Sequence, residues 1–201
     1  MGVLASQLMG LTDGTRCRTR RLALFLFLVW LAAPAFRIGP GSVASLFAKE
    51  VSLEYQVKAV YLFNFAKFVE WPPEAQSGPL TICVAGQNPF GAVLDETLRG
   101  ESVNNRPLTA RVIPGPEPGC HVIFVPQGAP TTAYLRAARA GPTLTVGETP
   151  DFLAQGGIIN FILEGGKVRF QIDSKAAERA DLRISSHLLR LARGPETRVE
   201  R

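Results

Sequence analysis

The spacing of apolar and polar positions changes several times along the chain, and each change marks an element. Across residues 53–69 the apolar side chains Val57, Val60, Leu62, Phe63, Phe65 and Phe68 cover most of a helical circumference. That spacing predicts a long, largely buried helix with a thin wet edge carrying Glu54, Lys58 and Lys67. Ser52 is placed to cap its start, and Trp71-Pro72-Pro73 to end it, because proline disfavours helix in the residue before it. Residues 80–85, 107–113, 121–125 and 144–146 then read as apolar strands. Between them, Asn88-Pro89 opens a predicted helix that ends at Gly100, and residues 130–140 form another that stops at Gly141. Thr149-Pro150 is expected to cap a short helix ending by Gly156. Strands alternating with helices of this length predict an α/β fold, a mixed sheet with helices on both faces.

The sharpest local pattern follows. Residues 158–164 and 167–172 flank Gly165-Gly166, a two-residue loop suited to a primed hairpin turn. In that register Ile159 faces Ile172, Phe161 faces Phe170 and Leu163 faces Val168, all on one expected core face. The opposite, half-wet face pairs Asn160 with Gln171, Ile162 with Arg169 and Glu164 with Lys167. A helix over residues 174–180 and a last one capped by Ser185 or Ser186 close the domain. The apolar face of that last helix carries Leu188, Leu189, Leu191 and Ala192, and Gly194 ends it.

Charge changes the picture at the N-terminus. Arg16, Arg18, Arg20 and Arg21 precede the apolar run beginning at Leu22, and Ala33-Pro34-Ala35 supplies small residues at its exit. That order reads as a secretory signal, and the run is shorter than the roughly 20 residues that span a bilayer. The expected division is a signal peptide over 1–35, a linker over 36–50, an α/β domain over 51–193 and a flexible tail over 194–201. Cleavage is placed after Ala35, with Ala48 as a second possibility. Removing residues 1–35 takes four of the 22 Lys and Arg residues and one of the 17 Asp and Glu residues, leaving 18 basic against 16 acidic side chains. No basic stripe with interleaved aromatics asks for nucleic acid.

Export would also alter the cysteine count. Cys17 leaves with the signal, so Cys83 and Cys120 remain and are expected to be joined in an oxidising compartment. The alternative is two buried thiols in neighbouring strands. Candidate chemistry is thin. Cys120 and His121 adjoin, but neighbouring side chains on a strand point to opposite faces, which spoils a dyad. His187 sits beside Ser185 and Ser186 without a carboxylate at helical spacing to orient it. No pair of residues has metal-ligand spacing, and the glycine pairs end a helix or turn a hairpin rather than open a phosphate loop. The reading is a binding protein and not an enzyme, with no cofactor and no metal.

Three blocks resemble a known family. Tyr55-Gln56-Val57-Lys58-Ala59-Val60-Tyr61-Leu62-Phe63-Asn64-Phe65, continuing to Glu70-Trp71-Pro72, is similar to the first helix of YfiR-like periplasmic proteins. Gly156-Gly157-Ile158-Ile159-Asn160-Phe161 with Lys167-Val168-Arg169-Phe170-Gln171-Ile172 is the second block. Leu182 through Ser186, then Leu188 through Ala192, is the third. The resemblance implies a dimeric α/β repressor in the periplasm that binds the periplasmic part of an inner-membrane diguanylate cyclase, lowers cyclic di-GMP and limits biofilm. An outer-membrane lipoprotein can sequester such a repressor. The resemblance also implies a bridge at Cys83 and Cys120, while a second bridge of some members has no counterpart here. Ile162, Arg169, Gln171, Ser185, Ser186 and His187 are the candidate partner or dimer surface, with Leu188 and Leu191 beside them unless they simply fill the core. The other readings are a periplasmic small-molecule receptor or sensor module feeding a histidine kinase or transporter, and an enzyme using Cys120 or His187.

Overall fold

Strict alternation along the central strands divides the interior into two cores. Ile82 and Val84 face one way with Val122 and Phe124, while Cys83 and Ala85 face the other with Ile123 and Val125. The computed structural model describes residues 41–194. The expected leader, the start of the linker and the tail after Gly194 lie outside the described residues.

Helix α1 (Gly41–Phe68) runs into strand β1 (Val69–Glu70) and a single 3-10 turn (Pro73–Ala75). Strand β2 (Leu80–Ala85), helix α2 (Val93–Leu98), and strands β3 (Ser102–Val103), β4 (Arg106–Ile113) and β5 (Val122–Val125) follow. Helix α3 (Thr131–Ala138), strand β6 (Leu144–Gly147) and the hairpin of β7 (Ile159–Glu164) and β8 (Lys167–Ile172) complete the sheet. Helix α4 (Ser174–Arg179), strand β9 (Arg183–Ile184) and helix α5 (Ser186–Leu191) close the described chain.

The main sheet has the order β3-β4-β2-β5-β6-β7-β8. Its five inner strands are parallel, and the short β3 and the hairpin strand β8 are antiparallel at the two ends. The fold is thus the predicted mixed α/β sheet. One core packs beneath α1 through Leu62, Phe65 and Ala66, and the second packs beneath α3 through Tyr134 and Leu135. A separate two-stranded ribbon pairs Val69 with Ile184 and Glu70 with Arg183, joining the exit of α1 to the end of the domain.

The hairpin has the predicted register in all six pairs. Gly165 and Gly166 both have positive φ, at 56° and 71°, which a primed turn demands and glycine supplies without strain. The burial of its faces differs from expectation. Leu163 is 62% exposed, Val168 is only half-buried, and Asn160 on the supposedly wet face is 2% exposed. The reason is geometric: β6 pairs only with Ile159 and Asn160, so the far end of β7 projects beyond its inner neighbour. Burial therefore follows depth along the hairpin more than it follows the alternation of side chains.

Other expectations need correction. Helix α1 starts at Gly41, so Ser52 lies inside it rather than capping it, and residues 41–50 are helical. Asn88 does not open a helix. Its Oδ1 accepts from the Phe90 amide at 2.9 Å and its Nδ2 donates to the Gly91 carbonyl, while Gly91 at φ 55° delays the helix to Val93. Residues 150–156 form turns and not a helix, and the buried Thr149 hydroxyl caps nothing. Those turns drive the Phe152 ring under the sheet, where it is fully buried between Gly147 and Gly157. Strand β3 was not foreseen, although Asn104-Asn105, at φ 52° and 63°, marks its turn. The last helix ends at Leu191, short of Gly194, and Ser185 is its cap, accepting from the Leu188 amide at 3.3 Å.

Candidate functional site

Two features of α1 stand out, and both reverse its expected polarity. Lys58, placed in sequence on a wet edge, is 4% exposed. Its Nζ donates to Glu148 Oε2 at 2.6 Å and also pairs with Glu54, one turn earlier on the helix. Glu148 follows β6 directly, so the parallel strand delivers the carboxylate to the sheet's carboxyl edge. Its other oxygen accepts from the Tyr55 hydroxyl at 3.1 Å and from the Gln127 amide at 2.8 Å. Lys58 Nζ also lies 4.6 Å from the centre of the Tyr55 ring, where the π-face attracts a cation. Burial, reinforced by the Glu148 charge, pushes the Tyr55 hydroxyl above its usual range, so it remains a donor. Four side chains and one backbone amide thus hold a buried charge cluster under the start of the domain.

The second feature is the face that this burial turns outward. Leu53, Val57 and Val60 are 61%, 39% and 49% exposed. With the half-buried Phe63 and Asn64 and the exposed Lys67 they make one stripe at helical spacing. Lys67 therefore lies across the helix from Lys58 rather than beside it. The sequence held the signal: a helix apolar all round must be covered all round, and nothing in the described domain covers this stripe.

A groove of about 460 Å³ opens where α1, the loop after β6 and the projecting end of β7 converge. Glu54, Tyr55, Lys58 and Glu148 line one side, Gln127 and Asn160 the floor, and Phe161, Ile162 and Leu163 the rest. Carboxyl edges of parallel strands are where open α/β sheets hold ligands, because loops diverge there.

The remaining candidates fall elsewhere. Cys83 and Cys120 are joined in a disulfide, with Cα atoms 5.8 Å apart, which ties β2 to the loop entering β5 in the second core. No thiol of that pair is available as a nucleophile. His121 lies just before β5 and has partners at both ring nitrogens. The Thr81 amide donates to its Nδ1 at 3.1 Å, its Nε2 lies 3.0 Å from the Ala75 carbonyl oxygen, and Arg106 Nη2 is 2.8 Å from Nε2. Burial lowers its pKa first, with Arg106 lowering it further and the Ala75 carbonyl opposing.

His187 is exposed and stacks obliquely on Phe68, with ring centres 5.1 Å apart. Ser185 is occupied as a helix cap and Ser186 is exposed. Leu188 is core, whereas Leu191 is exposed. On the hairpin, Ile162, Arg169 and Gln171 are half-buried. Gln171 is bridged to Arg193, whose amide donates to the Phe170 carbonyl at 2.8 Å, and Arg193 Nε lies 3.0 Å from Glu164. Arg193 therefore covers part of the outer edge of β8. Ser185 and His187 instead sit against the exit of α1, through Phe68. Among the described residues there is no cluster of His, Cys, Asp and Glu able to hold a metal ion, and no helix long and apolar enough to cross a membrane.

The mixed α/β sheet thus carries a buried charge cluster at its carboxyl edge, beneath a helix with an uncovered apolar stripe. The chain belongs to the YfiR/HmsC-like family (DUF4154), whose characteristic sequence it matches over residues 55–193. That span takes in α1 from Tyr55 and every later element described above. The family is regulatory and periplasmic, and is associated with diguanylate cyclase signalling. No curated protein compared with the chain matches it.

Proposed function

We propose that the protein is a periplasmic repressor that binds the periplasmic part of an inner-membrane diguanylate cyclase and lowers cyclic di-GMP inside the cell. The observation that carries this reading is the uncovered stripe of Leu53, Val57 and Val60 on a helix that turns Glu54 and Lys58 inward. Exposed apolar side chains in a row, rimmed by polar ones such as Gln56 and Lys67, suit a protein partner. Family membership supports the choice of a regulator over a catalyst. The leader is removed after Ala35 or Ala48, leaving the domain in the periplasm with its bridge formed. A homodimer and an outer-membrane lipoprotein that sequesters the repressor belong to the same reading. On the hairpin, Ile162, Arg169 and Gln171 form a second contact surface, with Ser185, Ser186 and His187 a third.

The test is a deletion strain complemented in turn by the natural chain and by Val57→Asp with Val60→Asp. Both positions are on the surface, so the variant should fold and accumulate normally. The reading expects cyclic di-GMP to rise in the deletion, to fall with the natural gene and to stay high with the double variant. A deletion that leaves cyclic di-GMP unchanged overturns it. If Arg169→Glu leaves both partner binding and dimerisation intact, the hairpin has no part in either.

A further inference from the structure

The groove beside α1 has properties that a partner-binding helix does not require. Lys58 and Glu148 are both almost fully buried, and the lysine is satisfied by two carboxylates and an aromatic face. Two carboxylates against one ammonium leave the cluster with an excess negative charge. Glu54 uses one oxygen for Lys58, and its second has no hydrogen-bond partner among the described residues. Asn160 is 2% exposed, lines the same groove, and its Oδ1 has no partner. A buried carboxamide oxygen without a donor costs about 1–3 kcal/mol, so its presence calls for a group that completes it.

The unmet groups are acceptors, and the local charge is negative. What completes them must donate hydrogen bonds and carry positive charge. Phe161, Ile162, Leu163 and Pro150 supply an apolar wall on the other side, with Leu163 open to solvent at the mouth. Anions are disfavoured here, because the one cation present is already neutralised.

We infer that this groove binds a small amphiphilic cation, a primary ammonium on a short apolar or aromatic body. The ammonium sits between Glu54 and Asn160, and the body lies along Phe161 and Leu163. The inference goes beyond repression of a partner and does not rest on it, since binding is measured on the purified protein alone. The groove and the apolar stripe share one helix, Glu54 and Leu53 being adjacent.

The probe is 2-phenylethylammonium chloride, titrated into isotopically labelled protein and followed by amide shifts. A ligand of this size should half-saturate in the range of about 1 mM, with the largest shifts at Gln127 and residues 160–163. The neutral isostere 2-phenylethanol should bind about tenfold more weakly, because it lacks the charge. Glu54→Gln should remove that preference, bringing the affinity for the cation down to that for the alcohol. Absence of saturable shifts, equal binding of alcohol and cation by the natural protein, or shifts centred away from the groove would each overturn the inference. The comparison of alcohol with cation needs no variant, so a failure of Glu54→Gln to fold does not rescue it.

Discussion

Lys58 on the first helix and Glu148 at the end of a central strand meet at 2.6 Å, with only 5% and 7% of their side chains exposed. Ninety residues separate them in sequence, so this contact fixes α1 to the carboxyl edge of the sheet. Removing one member of a buried pair strands the other charge, a loss of about 3–5 kcal/mol. Lys58→Met should therefore lower the urea midpoint sharply. Lys58→Met with Glu148→Leu should recover part of the loss but not all, since Tyr55 and Gln127 lose their acceptor. A single variant as stable as the natural protein would show that the pair does not hold the helix.

Phe152 sets a second expectation. A methyl group on Gly147 would lie 2.2 Å from the Phe152 ring, and one on Gly157 would lie equally close. Gly147→Ala should destabilise by about 3 kcal/mol or more, the upper end of overpacking effects. In a Phe152→Ala background the same substitution should cost less than about 1 kcal/mol, because the clash is gone. Denaturant melts of the four proteins measure the coupling; additive losses would rule out this contact as the cause.

Reduction should weaken the domain at the same sheet. Cys83 and Cys120 are 37 positions apart in sequence, and closing a loop of that length restricts the unfolded chain by about 4 kcal/mol. Melts with and without dithiothreitol should differ, and Cys83→Ala with Cys120→Ala should match the reduced protein. Identical midpoints would mean that the bridge contributes nothing to the equilibrium.

His121 makes stability depend on pH in a definite direction. Its pKa in the folded state is lowered, mainly by burial and then by Arg106. Above the ordinary imidazole value near 6.5 both states are neutral and the contribution is fully present. As pH falls through that value the unfolded chain takes up the proton first, so stability is lost as pH descends toward the folded pKa. A proton on Nδ1 would also evict the Thr81 amide. His121→Gln should flatten that limb of the pH–stability curve. A limb unchanged by the substitution would assign the titration to another group.

Legibility of the fold in the sequence depended on how local each cause was. The hairpin register could be read because Gly165-Gly166 and the alternation on either side agree within fourteen residues. Central strands such as Leu80–Ala85 could be read from apolar runs bounded by glycine and proline. The polarity of α1 could not. A helix apolar on nearly every side has no preferred inward face of its own, and the choice is made by Glu148, far along the chain. The groove was hidden for the same reason, as it needs β7 to overshoot β6. The stretch after Thr149 looked helical by its opening residues, yet the demand of Phe152 for a place between two glycines shaped it instead.

The ribbon of Val69 and Glu70 with Arg183 and Ile184 has a bearing on how the polypeptide matures. Because the partner of the helix exit is made more than a hundred residues later, closure of this ribbon must wait until Arg183 and Ile184 have emerged. Until then the exit of the first helix lacks this clasp, and the Lys58–Glu148 contact, whose residues are made earlier, is what ties the helix to the sheet. A polypeptide cut short before Arg183 would leave that helix exit untied.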